Sequence, residues 1–368
     1  MSTIEANRAR VTPSSIERWQ RASWFGAWLG AWLWGTYLGL SGFAWADSPA
    51  AELVRYESTQ PQMGVPFKII LYASDEAAAK GAFEAAFSHI AALNRMLSDY
   101  DPQSELSRLS RTAGSGRDVP VSETLWNVLA RSQALAGETD GAFDVTVGPY
   151  VRLWRRARRN KEMPASERLA QARSAVGYQL LKLDEQRRTA RLQKPGMLLD
   201  LGGIAMGYAV DEALELLRKR GMTRALIDAS GDIGVSDPPP GKRGWTIDVA
   251  PLAAGGAPGV SILLANAAVT TSGDAFQHVV IGGKRYSHII DPRTGLGLTD
   301  QSSVTVIAAD CTTADSLATA VSVLGPKAGL KLIERTQGTA ALIIRAADGK
   351  PEVYQSAGFS KFVVSDDK

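Results

Sequence analysis

Acidic residues and glycines occur together at the ends of several apolar segments. The pairs are Asp140-Gly141, Asp200 with Gly202-Gly203, Gly231-Asp232 and Gly273-Asp274, and the single acid Asp291 follows another apolar segment. Each is by itself ordinary turn chemistry, because Asp and Gly both favour the backbone conformations of tight turns. Their repetition in a chain of mixed helices and strands favours a site formed by loops at one edge of a sheet.

The segment 200–211 has the pattern of an anion-binding turn. The apolar run 197–201 is typical of a buried strand, two glycines interrupt it, and a helical pattern of apolar residues follows. A strand, a Gly-Gly turn and a helix start present free backbone N–H groups and a positive dipole end to a phosphate. The spacing is neither that of a P-loop nor G-x-G-x-x-G. Tight packing of the strand on the helix, without a ligand, is the alternative.

Asp315 and Thr319 are candidate ligands of a divalent cation. They lie four residues apart on a predicted helix, so the carboxylate and the hydroxyl share one face. Hard oxygen donors of this kind suit Mg²⁺. The spacing from Thr312 to Asp315 also resembles a capping box, so capping of the helix is the alternative role of Asp315.

His288 is the best candidate for a general base among the three histidines. It lies at the end of a predicted strand, three residues before Asp291, and imidazole has a free pKa near working pH. His89 lies in a predicted amphipathic helix, where a structural role is expected. The sequence leaves the orientation of His278 open.

The first 46 residues are predicted to be a secretory signal peptide or a membrane anchor. Four arginines precede 23 uncharged residues at 24–46, and the last three of these, Ala44-Trp45-Ala46, resemble a cleavage site. An uncharged run of this length can also span a bilayer, so a retained anchor stays open. Both alternatives place residues 47–368 in the periplasm.

Charge excludes one class of partner. The first 46 residues hold four of the 41 basic and two of the 38 acidic residues, which leaves a net charge of +1 for the remainder. Nothing in this balance indicates a nucleic-acid partner. The one basic cluster, 152–161, is interpreted as a solvated helix face or as a docking site for a partner or a lipid surface.

The sequence shows no repeat, no domain linker and no βαβ alternation, which favours an α+β fold with mixed, largely antiparallel sheets and packed helices.

Several stretches together resemble the ApbE family, the FAD:protein FMN transferases. They are 63–64, 97–100 with 104–107, 140–146, 200–205, 207–211, 230–233, 271–274, 286–295 and 314–319. The resemblance implies a T-fold-like single catalytic domain over 47–368. It also implies an Mg²⁺-dependent reaction that moves FMN from FAD to a Thr or Ser hydroxyl of an acceptor protein and releases AMP. Family acceptors are flavoprotein subunits of membrane redox complexes, and association with the inner membrane is compatible with the N-terminal run.

The resemblance also assigns residues. Mg²⁺ would be held by Asp315, Thr319 and the backbone carbonyl of Gly203. The FAD cleft would be lined by Met63, Tyr100, Gly141, Ala142, Phe143 and Asp200, with Met206 and His288 near it. His288 would take the acceptor proton or orient the acceptor or the flavin, and Asp274 and Asp291 are rival bases. The family often has Lys, sometimes Glu, where Met206 stands, which puts one FAD contact in doubt.

Three other functions stay open at this point. An FAD pyrophosphatase would use the same site with water in place of the acceptor hydroxyl. A non-catalytic periplasmic protein would bind or carry the flavin without breaking it. A membrane-tethered assembly factor would use the basic cluster to dock a redox complex.

Overall fold

The computed structural model describes residues 5–7, 52–249, 259–273, 277–346 and 350–364. The predicted signal peptide or anchor at 24–46 and the candidate base Asp274 lie outside the described residues. No helix of the described ranges is both long enough and apolar enough to cross a membrane.

Strands and helices alternate irregularly along the chain. The strands are β1 Glu5–Asn7, β2 Val54–Gln62, β3 Val65–Ala73, β4 Val119–Pro120, β5 Leu181–Asp184, β6 Thr189–Leu192, β7 Ala225–Asp228, β8 Asp232–Val235, β9 Trp245–Asp248, β10 Ser261–Leu264, β11 Ala267–Gly273, β12 His278–Ile281, β13 Lys284–Ser287, β14 Ile290–Asp291, β15 Leu296–Gly297, β16 Gln301–Ala308, β17 Ala340–Ala346 and β18 Pro351–Gln355. The helices are α1 Glu76–Leu97, α2 Glu105–Ser110, α3 Glu123–Glu138, α4 Gly148–Asn160, α5 Ser166–Arg173, α6 Ala205–Lys219 and α7 Cys311–Arg335, with 3-10 turns at Tyr178–Leu180 and Phe359–Phe362.

One large sheet organises the fold. Its nine strands lie in the order β1-β2-β3-β7-β8-β11-β16-β17-β18, and every neighbouring pair in it is antiparallel. Smaller antiparallel sheets are formed by β4-β6-β5, β9 with β10, β12 with β13, and β14 with β15. The predicted α+β fold with largely antiparallel sheets is confirmed.

The large sheet buries apolar side chains on both faces. In β3, Phe67, Ile69 and Leu71 point into the main core, where helices α1, α6 and α7 contribute apolar side chains, whereas Ile70 joins a second cluster with Trp245 of β9. This alternation follows from the two-residue period of a strand. Full burial of each large apolar side chain contributes about 1.5–3 kcal/mol to the stability of the fold. The sheet is therefore a rigid support for the loops at its ends.

Three turns lie at the same end of the large sheet. They are the β2–β3 turn at Met63-Gly64, the β7–β8 turn at Ser230-Gly231, and the end of β11 at Gly273. The Ser230 hydroxyl donates to the Pro66 carbonyl, and the Thr271 N–H donates to the Gly231 carbonyl. Of the acid-and-glycine pairs expected at one edge of a sheet, the sheet places Gly231-Asp232 and Gly273 at this end.

The apolar run 197–201 is not a regular strand, and that prediction is wrong. It is an extended segment held by one isolated parallel bridge between Val147 and Leu198, and the Asp200 N–H donates to the Val145 carbonyl. A continuous apolar run indicates burial, but it does not distinguish a strand from a buried extended segment. The consequence for the site is that Asp200 is fixed by the neighbouring 145–147 segment.

Helix α7 has a kink at Gly325, whose φ of 74° and ψ of 174° are not helical. Pro326 begins the second part of the helix, where its missing N–H costs nothing. Glycine just past the end of a helix followed by proline at the start of the next is the residue pair that favours such a division. The first part of α7 packs on β11 and β16 and faces α6.

Candidate functional site

The first part of α7 and the start of α6 meet at three points one helical turn apart. Gly203 lies against Thr319, the Gly207 N–H donates to Asp315 Oδ2 over 3.1 Å, and Asp211 Oδ1 accepts the Cys311 N–H over 2.7 Å. Contacts at four-residue steps in opposite chain directions show that the two segments run antiparallel in a fixed register.

Two glycines allow this close approach. A Cβ at Gly203 would lie 2.9 Å from Thr319 Oγ1, and a Cβ at Gly207 would lie 2.4 Å from the Cys311 carbonyl oxygen. Distances this short are not sterically allowed for a carbon atom. The structure therefore places Gly203 against Thr319 and Gly207 against Asp315, so the three predicted metal ligands, Gly203, Asp315 and Thr319, lie along one contact between the two segments.

Asp315 does not cap its own helix. The N-cap of α7 is Asp310, whose side chain accepts the Thr313 N–H over 2.9 Å. Asp211, on the neighbouring helix, accepts the N–H groups of Cys311 and Thr312 at 2.7 and 2.8 Å. Because these two carboxylates already serve the helix start, the capping alternative for Asp315 is wrong.

Asp315 lies in a buried, acidic region. Its side chain is 4% exposed, and burial, together with the charge of Asp232, raises the pKa of Asp315 well above its usual range. Burial also raises the pKa of Asp232 to about 7, although a hydrogen bond with Thr270 acts in the opposite direction. Two carboxyl groups that are held close together in a desolvated region favour either a shared proton or a cation.

The donor set of this region fits a hard divalent cation. The Asp315 carboxylate, the Thr319 hydroxyl and the backbone at Gly203 are all oxygen donors, the type that Mg²⁺ prefers. Within the described ranges, no group of three or more His, Cys, Asp or Glu side chains is arranged to hold a metal ion. A cation at this position would therefore depend on the hydroxyl, the carbonyl, water and an oxygen-rich ligand.

Tyr100 presents an aromatic face to solvent at a second part of the site. Its side chain is 75% exposed, which is unusual for a large aromatic residue, and the Arg155 guanidinium carbon lies 3.9 Å from the centre of its ring. One face of the ring is thus covered by a cation. Met63 is half-buried in the β2–β3 turn and packs against the main core.

Asp200 connects this aromatic residue to the glycine turn. Asp200 Oδ1 accepts the Gly202 N–H at 2.9 Å, and Oδ2 accepts a hydrogen bond from Arg155 Nη2 at 3.1 Å. Arg155 also pairs with Asp99 through Nη1. Burial raises the pKa of Asp200 to about 6, and the charge of Asp99 acts in the same direction, whereas the Gly202 N–H and Arg155 lower it.

The two apolar side chains of the turn 140–143 point into the protein. Phe143 belongs to the main core, and Ala142 packs with Ile289 and Val323. Asp140 and Gly141 both have positive φ, 49° and 73°. Ala142 and Phe143 are only 1% and 3% exposed as whole residues, and their predicted place in the lining of the FAD cleft stays a prediction.

His288 is held by the carbonyl of Gln277. Its backbone N–H and its Nδ1 atom both contact this oxygen, at 3.0 and 3.1 Å. Because a carbonyl only accepts, this contact favours the neutral tautomer with the proton on Nδ1, in which Nε2 is the acceptor nitrogen that a general base requires. The next residue, Ile289, packs on Val323, which lies one turn beyond Thr319 on α7.

Asp291 is less suited to act as a base. Arg293 Nε donates to its Oδ1 at 2.9 Å, Arg293 Nη2 donates to its Oδ2 at 3.0 Å, and the Arg293 backbone N–H donates to Oδ1. A carboxylate that already accepts three hydrogen bonds from one arginine has few lone pairs left for an acceptor hydroxyl. Between these two candidate bases, the geometry favours His288.

Comparison with known proteins identifies the family of this chain. The profile of the ApbE family matches residues 63–343. The chain belongs to the ApbE family. Relatives include the FAD:protein FMN transferases of Haemophilus influenzae, 32% identical with 70% of this chain and 76% of the relative covered, and of Escherichia coli K12, 30% identical with 74% and 79% covered.

Solved structures of the ApbE family share the fold. The ApbE protein of Thermotoga maritima superimposes with a TM-score of 0.77 at 30% identity, covering 84% of this chain and all of that protein. The flavin transferase ApbE of Vibrio cholerae gives a TM-score of 0.74 at 29% identity with the same coverage. The α+β architecture of this chain is thus that of known ApbE proteins.

In this ApbE-family chain, Arg155 is not identified as a site residue from the sequence, because it lies among the other arginines of the basic cluster 152–161. Arg152, Arg156 and Arg159 are exposed, as a solvated helix face predicts, whereas Arg155 is half-buried and paired with Asp99 and Asp200. The buried positions Tyr150, Trp154 and Ala157 mark the inner face of α4. Helical periodicity places Arg155 next to that face, so the spacing of the aromatic residues could have identified it.

Met206 occupies the second position of α6, directly before Gly207. It is half-buried and packs against the main core. Met206 therefore supplies no charge at this end of α6, and its own amide belongs to the helix start. Its predicted place near the bound FAD stays a prediction.

Proposed function

We propose that this ApbE-family chain is a flavin transferase that moves FMN from FAD to a Thr or Ser hydroxyl of an acceptor protein and releases AMP. One observation carries the proposal. The segment 200–203 joins an oxygen-donor group, Gly203 with Thr319 and Asp315, to an exposed aromatic face at Tyr100. A pyrophosphate and a flat ring are the two parts of FAD that such neighbours would bind.

The phosphate part of the site is assigned to Asp315, Thr319 and the Gly203 carbonyl, which would hold Mg²⁺. When bound there, Mg²⁺ neutralises charge on the pyrophosphate oxygens. The burial of Asp315 excludes water from its carboxylate and strengthens its attraction for a cation. The positive end of the α6 helix dipole adds positive potential on the same side.

His288 is assigned to the proton transfer. The acceptor hydroxyl oxygen forms a bond to the FMN phosphorus as the bond from that phosphorus to the AMP oxygen breaks. The hydroxyl proton passes to His288 Nε2, since Nδ1–H is directed at the Gln277 carbonyl. The exposed position of Tyr100 would leave the flavin end accessible to a protein acceptor.

Export to the periplasm, and anchoring by residues 24–46, are part of the proposal. The uncharged run and the preceding arginines support them. Acceptors would then be flavoprotein subunits of membrane redox complexes. Fractionation of cells expressing the full chain would test this, and recovery of the protein only from the cytosol would contradict it.

The transfer is tested by intact mass. The full chain is incubated with FAD, Mg²⁺ and a flavoprotein domain that carries a candidate Thr, and the same domain with Thr replaced by Ala is the control. We expect the domain with Thr to gain one FMN, and only when Mg²⁺ is present. Free FMN and AMP without a mass gain would show a pyrophosphatase instead, and intact FAD with a range of acceptors would show a binding protein.

A further inference from the structure

Arg155 is the centre of a compact group that includes an aromatic ring and two carboxylates. Its Nη1 donates to Asp99, its Nη2 donates to Asp200 over 3.1 Å, and its guanidinium carbon lies 3.9 Å from the centre of the Tyr100 ring. These three partners come from the loop after α1 and from the turn before α6. Arg155 itself comes from α4, so the group joins three parts of the chain.

We infer that Arg155 is a positioning residue for the flavin ring, which holds the Tyr100 ring as a platform on which the isoalloxazine stacks. The inference rests on the proposed function, because a flavin ligand is what gives the open face of Tyr100 a partner. It adds to that function a residue that selects the ring-containing part of the substrate.

The exposure of Tyr100 supports a ligand-binding role for the ring. A tyrosine that is 75% exposed has little packing to fix its side-chain rotamer, so the guanidinium is what orders it. The backbone around the ring is fixed separately, because the Tyr100 N–H donates to Ser98 Oγ over 3.2 Å. A flat ring held on one face and open on the other binds a second aromatic ring at a small entropic cost.

The geometry requires an arginine. The two carboxylates bind different Nη atoms, so they fix the plane of the guanidinium as well as its position. A lysine ammonium would supply the charge without a plane to lie over the ring. The Arg155 Nε–H is buried and has no hydrogen-bond partner among the residues that the structure describes. This unpaired donor lowers the stability of the fold. A role in positioning the Tyr100 ring therefore explains the arrangement better than a role in stabilising the protein does.

Asp200 links this guanidinium to the phosphate part of the site. Asp200 Oδ1 accepts the Gly202 N–H over 2.9 Å, one residue before the proposed ligand Gly203. This bond does not involve Arg155, so Asp200 holds the glycine turn and Arg155 sets the position of the Tyr100 ring relative to it. A ligand with a flavin ring joined to a phosphate by a short chain matches two subsites whose separation is fixed in this way.

The inference is tested by comparing ligands that contain different parts of FAD. Binding of FAD, riboflavin and ADP to the full chain is measured by fluorescence and calorimetry for the wild type and for Arg155→Met. We expect about a five- to thirtyfold weaker binding of FAD and riboflavin, and a change in ADP binding of less than about twofold. The matched control is Arg156→Met, an exposed neighbour on the same helix, which should leave all three affinities unchanged.

A double-mutant cycle shows whether Arg155 acts through Tyr100. In the Tyr100→Ala background, Arg155→Met should have little further effect on riboflavin binding, because the platform is already absent. Arg155→Lys should bind riboflavin almost as weakly as Arg155→Met. If Arg155→Met does not fold, Asp99→Asn, which releases one side of the guanidinium, replaces it with the same expected selectivity.

The outcomes separate this inference from the proposed function. Unchanged riboflavin binding in Arg155→Met, equal weakening of ADP and riboflavin, or additive effects with Tyr100→Ala would overturn the role of Arg155 and leave the transferase proposal standing. A wild-type chain that binds neither FAD nor riboflavin would overturn both.

Discussion

Residues of one type take different roles at the start of α7. Asp310 caps its own helix, Asp211 binds the same helix start from α6, and Asp315 accepts the Gly207 N–H from α6. Sequence spacing predicts that Asp315 is a ligand or a cap but cannot choose between them. The choice depends on which other carboxylate reaches the free N–H groups, and that is decided by the packing of two helices distant in sequence.

Replacement of Asp315 by Asn separates the proposed metal role from folding. Asn keeps an acceptor for the Gly207 N–H but loses the charge, so we expect Mg²⁺-dependent FMN transfer to fall by about 100-fold or more. The melting temperature should be unchanged or higher, because a buried acidic group has been removed. Asp310→Asn is the control and should retain transfer. Full activity of Asp315→Asn at low Mg²⁺ would remove Asp315 from the metal site.

His288→Gln tests the proposed base. Gln is close to His in size and cannot accept the proton, so transfer should fall by about 10²–10⁴-fold. FAD affinity should stay within about twofold, since the side chain is assigned to the acceptor proton. Single-turnover mass measurements of the acceptor give the rate of transfer, and FAD titrations in parallel give the FAD affinity. Unchanged single-turnover transfer would exclude His288 as the base.

The raised pKa of Asp232 predicts a pH-dependent stability. Burial raises this pKa from 3.8 to about 7, so the folded protein favours the protonated acid. The contribution of Asp232 to the free energy of unfolding is therefore complete below about pH 4 and is lost as the pH rises through about 7. Asp232→Asn cannot ionise, so relative to wild type it should gain about 1–3 kcal/mol between pH 5 and pH 8. Urea unfolding of the wild type and of Asp232→Asn in EDTA measures this gain. A gain that does not change with pH would contradict the prediction.

At the scale of elements, patterns that depend on local chemistry predict the structure well. The helix starting near Ala205 and the division of α7 at Gly325 and Pro326 follow from periodicity, caps and proline. The run 197–201 and the position of Arg155 are not local properties. Whether the run 197–201 forms a strand depends on whether a partner strand is available. The position of Arg155 depends on loops that α4 contacts only in the folded chain.

The contact of α6 with α7 predicts opposite effects for two helical glycines. Gly207→Ala should lower the free energy of unfolding by about 1–3 kcal/mol, because its Cβ would overlap the Cys311 carbonyl. Gly137→Ala, in α3 with no atom of the described residues within 4 Å of the added Cβ, should raise it by about 0.5–1 kcal/mol. Urea unfolding of both variants provides the comparison. Equal effects would show that α6 and α7 are not in tight contact.

At the scale of the whole molecule, the candidate site combines distant parts of the chain on one rigid sheet. Turns at Met63 and Ser230 meet at one sheet end. Helix α4 supplies Arg155, the turn before α6 supplies Gly203, and α7 supplies Asp315. The antiparallel fold class can be derived from the sequence because it rests on many weak patterns. The pairing of Arg155 with Asp200 rests on one contact, which no pattern in the sequence specifies.

The three contacts of α6 with α7 also restrict how related chains can change in length. Residues 203, 207 and 211 face 319, 315 and 311 in one register. Inserting or deleting one residue between 203 and 211 would rotate the later contacts by about 100° and separate all of them at once. Chains that keep this site should therefore vary in length within their surface loops, but never inside these two nine-residue segments.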